Sequence, residues 1–214
     1  MPLIYKTHRA FALALTAGVM VFAQAPMDAW QTYAALGAAY VAAPIPDLDK
    51  NGSWISRRIP LADHFFSLFG HRTLTHSLLF ITGILLLLQL FQAPTWLTFG
   101  FVVGWLSHPL IDLANPQGVH LLWPLPKRFW VRFPAFMTTT TGSPLEPWIH
   151  WVLELVFVFL LAVGFLRYVV TVQGHLLAFI HLEGVARYWV YRFTNWVVQP
   201  WLTTFLRSLG VGRW

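Results

Sequence analysis

The chain has 214 residues, of which 57% are hydrophobic and only 10% are charged, and its mean hydropathy is +0.59. Because an average soluble domain carries about 25% charged residues, this composition excludes intrinsic disorder and argues against an ordinary soluble enzyme. The absence of cysteine excludes disulfides, thiolate metal sites and cysteine nucleophiles. The formal charge of +6 is scattered among apolar segments, which favours basic loops of a membrane protein over a nucleic-acid-binding face.

Five apolar stretches have lengths close to the roughly 17–25 residues of a membrane-spanning helix. In chain order they run from about Ala10 to Ala25, Ala29 to Ile45, Leu74 to Phe91, Thr95 to Leu113 and Trp148 to Val172. They predict an all-α fold, a polytopic transmembrane helix bundle. The first stretch also follows a basic head and ends in Ala23-Gln24-Ala25, as a signal peptide does, but Pro26 counts against cleavage there.

The basic residues predict the orientation of these spans. The long links Pro46–Thr73 and Ala114–Pro147 and the N-terminus are rich in Lys and Arg, whereas the short links contain neither. If every stretch spans, all three basic segments lie on one side, which the positive-inside rule makes cytoplasmic. The sequence therefore predicts a multi-pass membrane protein with its N-terminus on the cytoplasmic side. Residues 1–172 form its embedded core, and residues 173–214 form an aromatic and basic tail, either a sixth span or an interfacial amphipathic helix.

Polar residues cluster where the apolar stretches begin or end, although such residues are costly in a membrane. With alternating topology all these clusters fall at the same, cytoplasmic face, so their side chains can converge as imidazole and carboxylate ligands. The predicted metal ligands are His8, Asp47, Asp49, His71, His76, His108, Asp112 and Glu146. We expect His71, His108 and Asp112 to form the core of one ion's ligand set. This donor set suits two or three zinc ions, with manganese or iron as alternatives.

Local spacing supports part of this set. His108 and Asp112 are four residues apart and therefore lie on one face of a helix. Asp47 and Asp49 follow two prolines, and on extended backbone both side chains would point the same way. Each cluster taken alone also has a purely structural interpretation as a helix cap, an interfacial turn or a hydrogen-bonded pair.

Three strings in the chain carry a resemblance to a known family. PDLD (residues 46–49), GHRTLTHSLL (70–79) and SHPLIDLANPQGVHLLWP (107–124) resemble the YdjM-like family, whose members are described as membrane-bound, metal-dependent hydrolases of the bacterial inner membrane. The likeness covers about His8 to Glu146 and implies that the same eight residues are the family's motif polar residues. Their order is also, more distantly, similar to that of zinc-dependent phospholipase C, in which such residues bind zinc for phosphoester hydrolysis.

Together these observations predict a metal-dependent hydrolase acting on a phospholipid or a lipid-linked phosphoester, with membrane lipids and no nucleic acid as partners. Asp47 and Asp49 are the expected catalytic carboxylates, either bridging metals or acting as general base. Arg72 is expected to hold an anionic substrate, or alternatively to pair with Asp47 or Asp49. Two other classes remain open. A metal transporter would place its ligands near the bilayer centre, and a scaffold would keep its stability when metal is chelated.

Overall fold

The computed structural model describes residues 4–26, 29–126, 129–140, 143–172, 188–189 and 191–193. Across these residues the fold is all-helical, as predicted, and the one β pairing is an isolated bridge between Val119 and Val131. Its helices are α1 (Ile4–Phe22), α2 (Trp30–Ala42), α3 (Pro60–Ser67), α4 (Leu78–Leu90), α5 (Thr95–Asp112) and α6 (Glu146–Val172). The chain divides into two compact units, Met1–Gly164 and Phe165–Trp214. Nearly all of the predicted tail, 173–214, lies outside the described residues.

Two helix boundaries differ from the sequence prediction in ways that affect the polar residues. Helix α1 begins at Ile4, so His8 lies within the helix and not ahead of it. Helix α2 is followed by a 3₁₀ turn, Ile45–Asp49, which contains both aspartates of the PDLD string. The extended backbone predicted for Asp47 and Asp49 is therefore wrong. Proline fixes φ at a value that a 3₁₀ turn also uses, so the prolines there favour the turn.

Helices α2 and α5 approach each other so closely that their backbones touch. A Cβ atom added at Gly100 would overlap the main chain of Ala35, and one added at Gly104 would overlap the main chain of Ala39. Small residues permit such close packing between helices in membranes. The contact brings the C-terminal end of α5, which carries His108, against the turn that follows α2.

We expect Gly104→Ala to destabilise the protein, because the added methyl group collides with rigid backbone. Overpacking of this kind costs about 1–3 kcal/mol and should lower the thermal unfolding midpoint in detergent. Gly83→Ala in α4 is the matched control, since a Cβ there meets nothing within 4 Å and alanine favours the helix. Equal midpoints for the two variants would contradict this close packing.

One described helix is long and apolar enough to cross a membrane. Within Glu146–Val170 of α6, an 18-residue stretch has a mean hydropathy of 2.4, and 6% of that stretch is buried. Helix α4 is also apolar but has only 13 residues, short of the roughly 20 that a span requires. Helix α6 therefore meets the test of length and composition, whereas multi-pass insertion stays a prediction.

Candidate metal centre

Seven of the eight predicted ligands come together where α1, α5, the turn after α2 and the turn before α4 meet. They form three overlapping groups, and within each group one ligand atom from every residue lies within 4.8 Å of the others. The groups are His8, His108 and Asp112; Asp47, His76 and His108; and Asp47, Asp49 and His71. His71 thus lies with the two aspartates of the turn, not with His108 and Asp112 as predicted.

The ring of His108 is oriented by a main-chain carbonyl. Its Nδ1 lies 2.7 Å from the Ala43 oxygen, which can only accept, so Nδ1 carries the proton. The Nε2 atom lies 3.6 Å from Asp47 Oδ1 and 3.8 Å from Asp112 Oδ2, beyond hydrogen-bonding distance. Among the described residues this buried nitrogen has no hydrogen-bond partner. Histidine ligands of metals have this arrangement, in which a carbonyl fixes one nitrogen and leaves the other for the ion.

His76 shows the same division between its two ring nitrogens. Its Nδ1 lies 3.1 Å from Asp49 Oδ2 and 3.0 Å from the Thr75 hydroxyl oxygen. Its Nε2 is buried, lies 3.6 Å from Asp112 Oδ2, and is likewise unpartnered within the described part of the chain. Two ligand atoms bound to one tetrahedral ion at 2.0–2.2 Å are about 3.3–3.6 Å apart. The spacing between these nitrogens and carboxylates is therefore close to that of shared metal ligands.

His8 completes the group at the C-terminal end of α5. Its ring stacks on that of His108, with 3.8 Å between centroids and 7° between planes. Its Nε2 lies 3.7 Å from Asp112 Oδ1. Both rings are almost fully buried, so the helix that begins the chain contributes directly to the centre.

Asp49 is the most heavily hydrogen-bonded of the carboxylates. It accepts from the Thr75 hydroxyl at 2.7 Å and from the Arg72 main-chain N–H at 2.9 Å, and its Oδ1 lies 2.7 Å from His71 Nδ1. Burial alone would raise the pKa of Asp49, but the adjacent His76 and His71 outweigh burial and hold that pKa below its usual range. The carboxylate is therefore ionised and fixed in orientation, as a metal ligand must be.

Arg72 joins two carboxylates of the centre from an unusual backbone conformation, with a φ of 62°. Its guanidinium lies against Asp112, with Nε 3.0 Å from Oδ2 and Nη2 donating to Oδ1 at 3.2 Å. The ion pair is thus with Asp112, not with Asp47 or Asp49 as one interpretation expected. The main chain of Arg72 donates to Asp49, and its carbonyl accepts from the His120 N–H at 3.0 Å.

Glu146, the eighth predicted ligand, lies beside the three groups and not within them. It begins α6, is buried, and lines a cavity of about 100 Å³ together with His8 and Asp112. Its Oε1 accepts from the Thr7 hydroxyl at 3.5 Å. Further polar side chains around this cavity are Asn115, Thr139 and Thr140. The cavity is large enough for several water molecules, and it adjoins the group formed by His8, His108 and Asp112.

Two groups that orient the ligands were not identified from the sequence. The Thr75 hydroxyl contacts both Asp49 and His76, and its carbonyl accepts from Trp105 Nε1 at 2.8 Å. Thr75 stands between the two histidines of the string HRTLTH, and this position is the one feature of the sequence that could have indicated its role. The role of the Ala43 carbonyl could not be predicted from the sequence, because every residue has a carbonyl and only the fold places this one against His108 Nδ1.

We expect metal binding near neutral pH to release about one proton from His76, which lies outside the apolar helices. Burial lowers the pKa of this ring, but the carboxylates of Asp49 and Asp112 outweigh burial and raise it to about 9. The imidazole is therefore charged in the metal-free protein, and zinc affinity should rise as the pH rises towards about 9. Calorimetry in two buffers of different ionisation enthalpy measures the proton count, and an unchanged count in His76→Gln would contradict this assignment.

Comparisons with known proteins agree with the resemblance of the motifs. The family profile described as YdjM inner membrane protein matches residues 3–178. The chain is 37% identical over 104 residues to the uncharacterized protein YvsG of Bacillus subtilis, covering 48% of this chain and 64% of that protein. It is 36% identical over 111 residues to the inner membrane protein YdjM of Escherichia coli, covering 49% of this chain and 55% of that protein.

The matched region thus spans less than two thirds of either curated relative. No solved structure matches the chain significantly. The family match covers most of the sequence, including all eight polar positions considered above. The chain therefore belongs to the YdjM inner membrane protein family.

Proposed function

We propose that this protein is a metal-dependent hydrolase of a membrane-associated phosphoester. The observation that carries the proposal is the pair of buried, unpartnered Nε2 nitrogens of His76 and His108, which lie 3.6–3.8 Å from carboxylate oxygens. Leaving a buried polar atom without a partner costs about 1–3 kcal/mol. An ion held between these nitrogens and carboxylates removes that cost, whereas a purely structural role leaves it uncompensated.

The donor set favours zinc among divalent ions. Histidine nitrogens and carboxylate oxygens without thiolates suit zinc, and also manganese or iron. Three groups of three residues correspond to two or three ions. A divalent ion held by these residues would supply Lewis-acid activation of water and of a phosphoryl oxygen.

The residues of the centre divide into positioning and bridging roles. Asp47 belongs to two groups and has two carboxylate oxygens, so it would be the ligand best placed to be shared between ions; His108 also belongs to two groups, but its one free nitrogen, Nε2, would bind a single ion. Asp49 is held by three neighbours, which makes it a fixed ligand and a poor proton acceptor. Arg72 orients Asp112 through an ion pair and one hydrogen bond from Nη2, and in this arrangement it is a positioning residue.

The small cavity beside the centre is where we place the reacting phosphoryl group. His8 and Asp112 form its wall towards the metal groups, and hydroxyl and amide side chains line other parts of it. Such groups donate hydrogen bonds to phosphoryl oxygens. Glu146 lines this cavity without belonging to any ligand group, and we assign it the role of taking the proton from the attacking water.

The position of the cavity supports a lipid or lipid-linked substrate. Glu146 lines it and is also the first residue of the apolar segment Glu146–Val170. The start of a spanning helix lies at the level of the lipid headgroups, where phosphoesters are found. A headgroup phosphate therefore reaches this cavity without leaving the interface.

Two other functions account for fewer of these observations. A transporter would place ionisable ligands along its spans, but in α6, the described helix long and apolar enough to span, Glu154 lies 3.2 Å from His150 and neither belongs to a ligand group. A scaffold whose polar clusters only cap helices would satisfy its histidines by hydrogen bonds. The unpartnered nitrogens of His76 and His108 do not fit that interpretation.

The proposal is tested with purified protein in detergent, loaded with zinc, and assayed on a chromogenic phosphodiester and on phospholipid vesicles. We expect Asp47→Asn, which removes a shared metal ligand, and Glu146→Gln, which removes the proton acceptor, each to reduce phosphoester hydrolysis at least a hundredfold. Asp63→Asn, in α3 and outside the three ligand groups, is the matched control and should retain activity.

Two results would overturn the proposal. The first is a metal-loaded protein that cleaves soluble peptides but no phosphoester. The second is equal phosphoester turnover by the parent protein and Asp47→Asn, since that turnover would come from a contaminant or another site.

A further inference from the structure

A second, larger cavity of about 530 Å³ lies between α1 and α6 and is lined by different residues from the small one. Its volume lies within the roughly 300–1,000 Å³ of ligand-binding pockets. The cations Lys6 and Arg9 lie towards the start of α1, whereas Leu13 and Phe157 lie further along the two helices. Because α-helices rise 1.5 Å per residue, Leu13 is about 6 Å beyond Arg9 along α1. The cavity is therefore cationic at one end and apolar at the other.

Arg9 is held in place by aromatic rings and not by an acid. Its Cζ atom lies 4.2 Å from the centroid of Trp54, 4.3 Å from that of Tyr40 and 5.3 Å from that of Tyr5. Its Nη1 donates to the Tyr40 hydroxyl at 3.3 Å, and within the described ranges no carboxylate forms an ion pair with it. Cation–π contacts fix the guanidinium but leave its charge unneutralised, and among the described residues its Nε has no hydrogen-bond partner.

The acid that lines this cavity has another partner. Glu154 Oε1 lies 3.2 Å from His150 Nε2, one turn away on the same helix. Lys6 is exposed at the cationic end and has no carboxylate partner in the described structure. The cationic end therefore presents two positive side chains that form no ion pair with a described carboxylate, and the one acid of the lining contacts His150, an arrangement that suits an anionic group.

The cationic end lies at the level expected for lipid headgroups. Trp148 and Trp151, near the start of α6, are 71% and 60% exposed. Exposed tryptophans at the end of an apolar helix mark the membrane–water interface. His150, between them, lines this cavity, and Phe157 lies further along α6 towards the hydrocarbon region. The cationic end thus lies where a lipid headgroup would be, and the apolar end lies where its acyl chains would be.

We propose that this cavity binds one anionic phospholipid. Its phosphate contacts Arg9 and Lys6, and one acyl chain lies along Leu13 and Phe157. A free anion would use the two cations but not the apolar end, so a lipid is the occupant that uses the whole cavity. The site is lined by residues outside the metal groups, and lipid binding therefore does not depend on the proposed hydrolysis.

The proposal is tested by native mass spectrometry of the metal-free protein released from micelles that contain phosphatidylglycerol or phosphatidylcholine. We expect one phosphatidylglycerol to be retained per chain, with about tenfold lower retention of the zwitterionic lipid. Arg9→Gln and Lys6→Gln should each lower phosphatidylglycerol affinity about tenfold or more, as the loss of a charge-assisted contact does. Arg57→Gln, at an exposed arginine of the first long link, is the matched control.

Each other outcome overturns the proposal. Displacement of the lipid by millimolar inorganic phosphate would indicate a site for free anions, and equal retention of both lipids would remove the anionic selectivity. Lys6 is exposed, so Lys6→Gln tests the site even if Arg9→Gln fails to fold. Unchanged affinity in Lys6→Gln and in any folded Arg9→Gln would show that the cavity does not hold the phosphate. Because zinc is absent, these results are independent of whether the metal centre hydrolyses phosphoesters.

Discussion

His108→Ala is expected to lower the zinc content of the purified protein more than any other single substitution outside Asp47. His108 provides a ligand atom to two of the three groups, and its Nε2 already lies in position because Nδ1 is fixed on the Ala43 carbonyl. Losing a group that only orients a ligand typically costs 10–100-fold in metal affinity. We therefore expect a loss greater than about a hundredfold, measured by elemental analysis and by zinc titration.

Two further substitutions are expected to have smaller effects on zinc binding than His108→Ala. Thr75→Val keeps the shape of a buried side chain but removes the hydroxyl that contacts Asp49 and His76, so zinc affinity should fall about 10–100-fold. His64→Ala, at an exposed histidine of α3, should leave zinc content unchanged. Full zinc content in His108→Ala, or equal losses in all three variants, would show that these residues do not form the metal site.

Arg72→Met is expected to destabilise the metal-free protein by about 1.5–3 kcal/mol, because it removes a charged hydrogen-bond donor from the buried carboxylate of Asp112 while the nearby His76 remains. The two side chains are 6% and 9% exposed, so water does not replace the guanidinium. Added zinc should reduce this loss, since an ion in the group of His8, His108 and Asp112 also neutralises the carboxylate. Thermal unfolding in detergent, with zinc and with chelator, measures both quantities.

Arg57→Met serves as the control for removing a cation. Arg57 is exposed, and its substitution should change stability by less than about 0.5 kcal/mol under either condition. An Arg72→Met loss of the same size with zinc and with chelator would mean that Asp112 is not a metal ligand. A loss no larger than that of Arg57→Met would mean that the ion pair contributes little.

The sequence predicted the helices of the core because their apolar runs are continuous and end at recognisable breaks. The fourth stretch, for example, was expected from Thr95 to Leu113 and is a helix from Thr95 to Asp112. The convergence of histidines and carboxylates also followed from sequence, since they stand at alternate ends of successive stretches. Glu146 was placed at the same face, and the structure brings it to the adjoining cavity.

Which side chains of the metal centre contact one another could not be predicted, because these contacts depend on backbone conformations that leave no pattern in the sequence. Arg72 reaches Asp112, 40 residues away, from a left-handed φ that non-glycine residues seldom adopt. Asp47 and Asp49 lie in a 3₁₀ turn, where alternation of side chains along an extended strand does not apply. The proton on His108 is set by the Ala43 carbonyl, whose position depends on the close packing of α2 against α5.

The overlap of the three ligand groups has a consequence for how ions load. The middle group shares His108 with one neighbour and Asp47 with the other. His108 has only Nε2 free, so an ion in the middle would take this ligand from the group of His8 and Asp112. Asp47 has two oxygens, so the same ion would immobilise one ligand of the group of Asp49 and His71 and lower the entropy lost when the next ion binds there. Zinc titration should accordingly be cooperative between these two groups. Substitution of His71 should remove one step of that titration, whereas substitution of Asp47 should abolish the cooperativity itself.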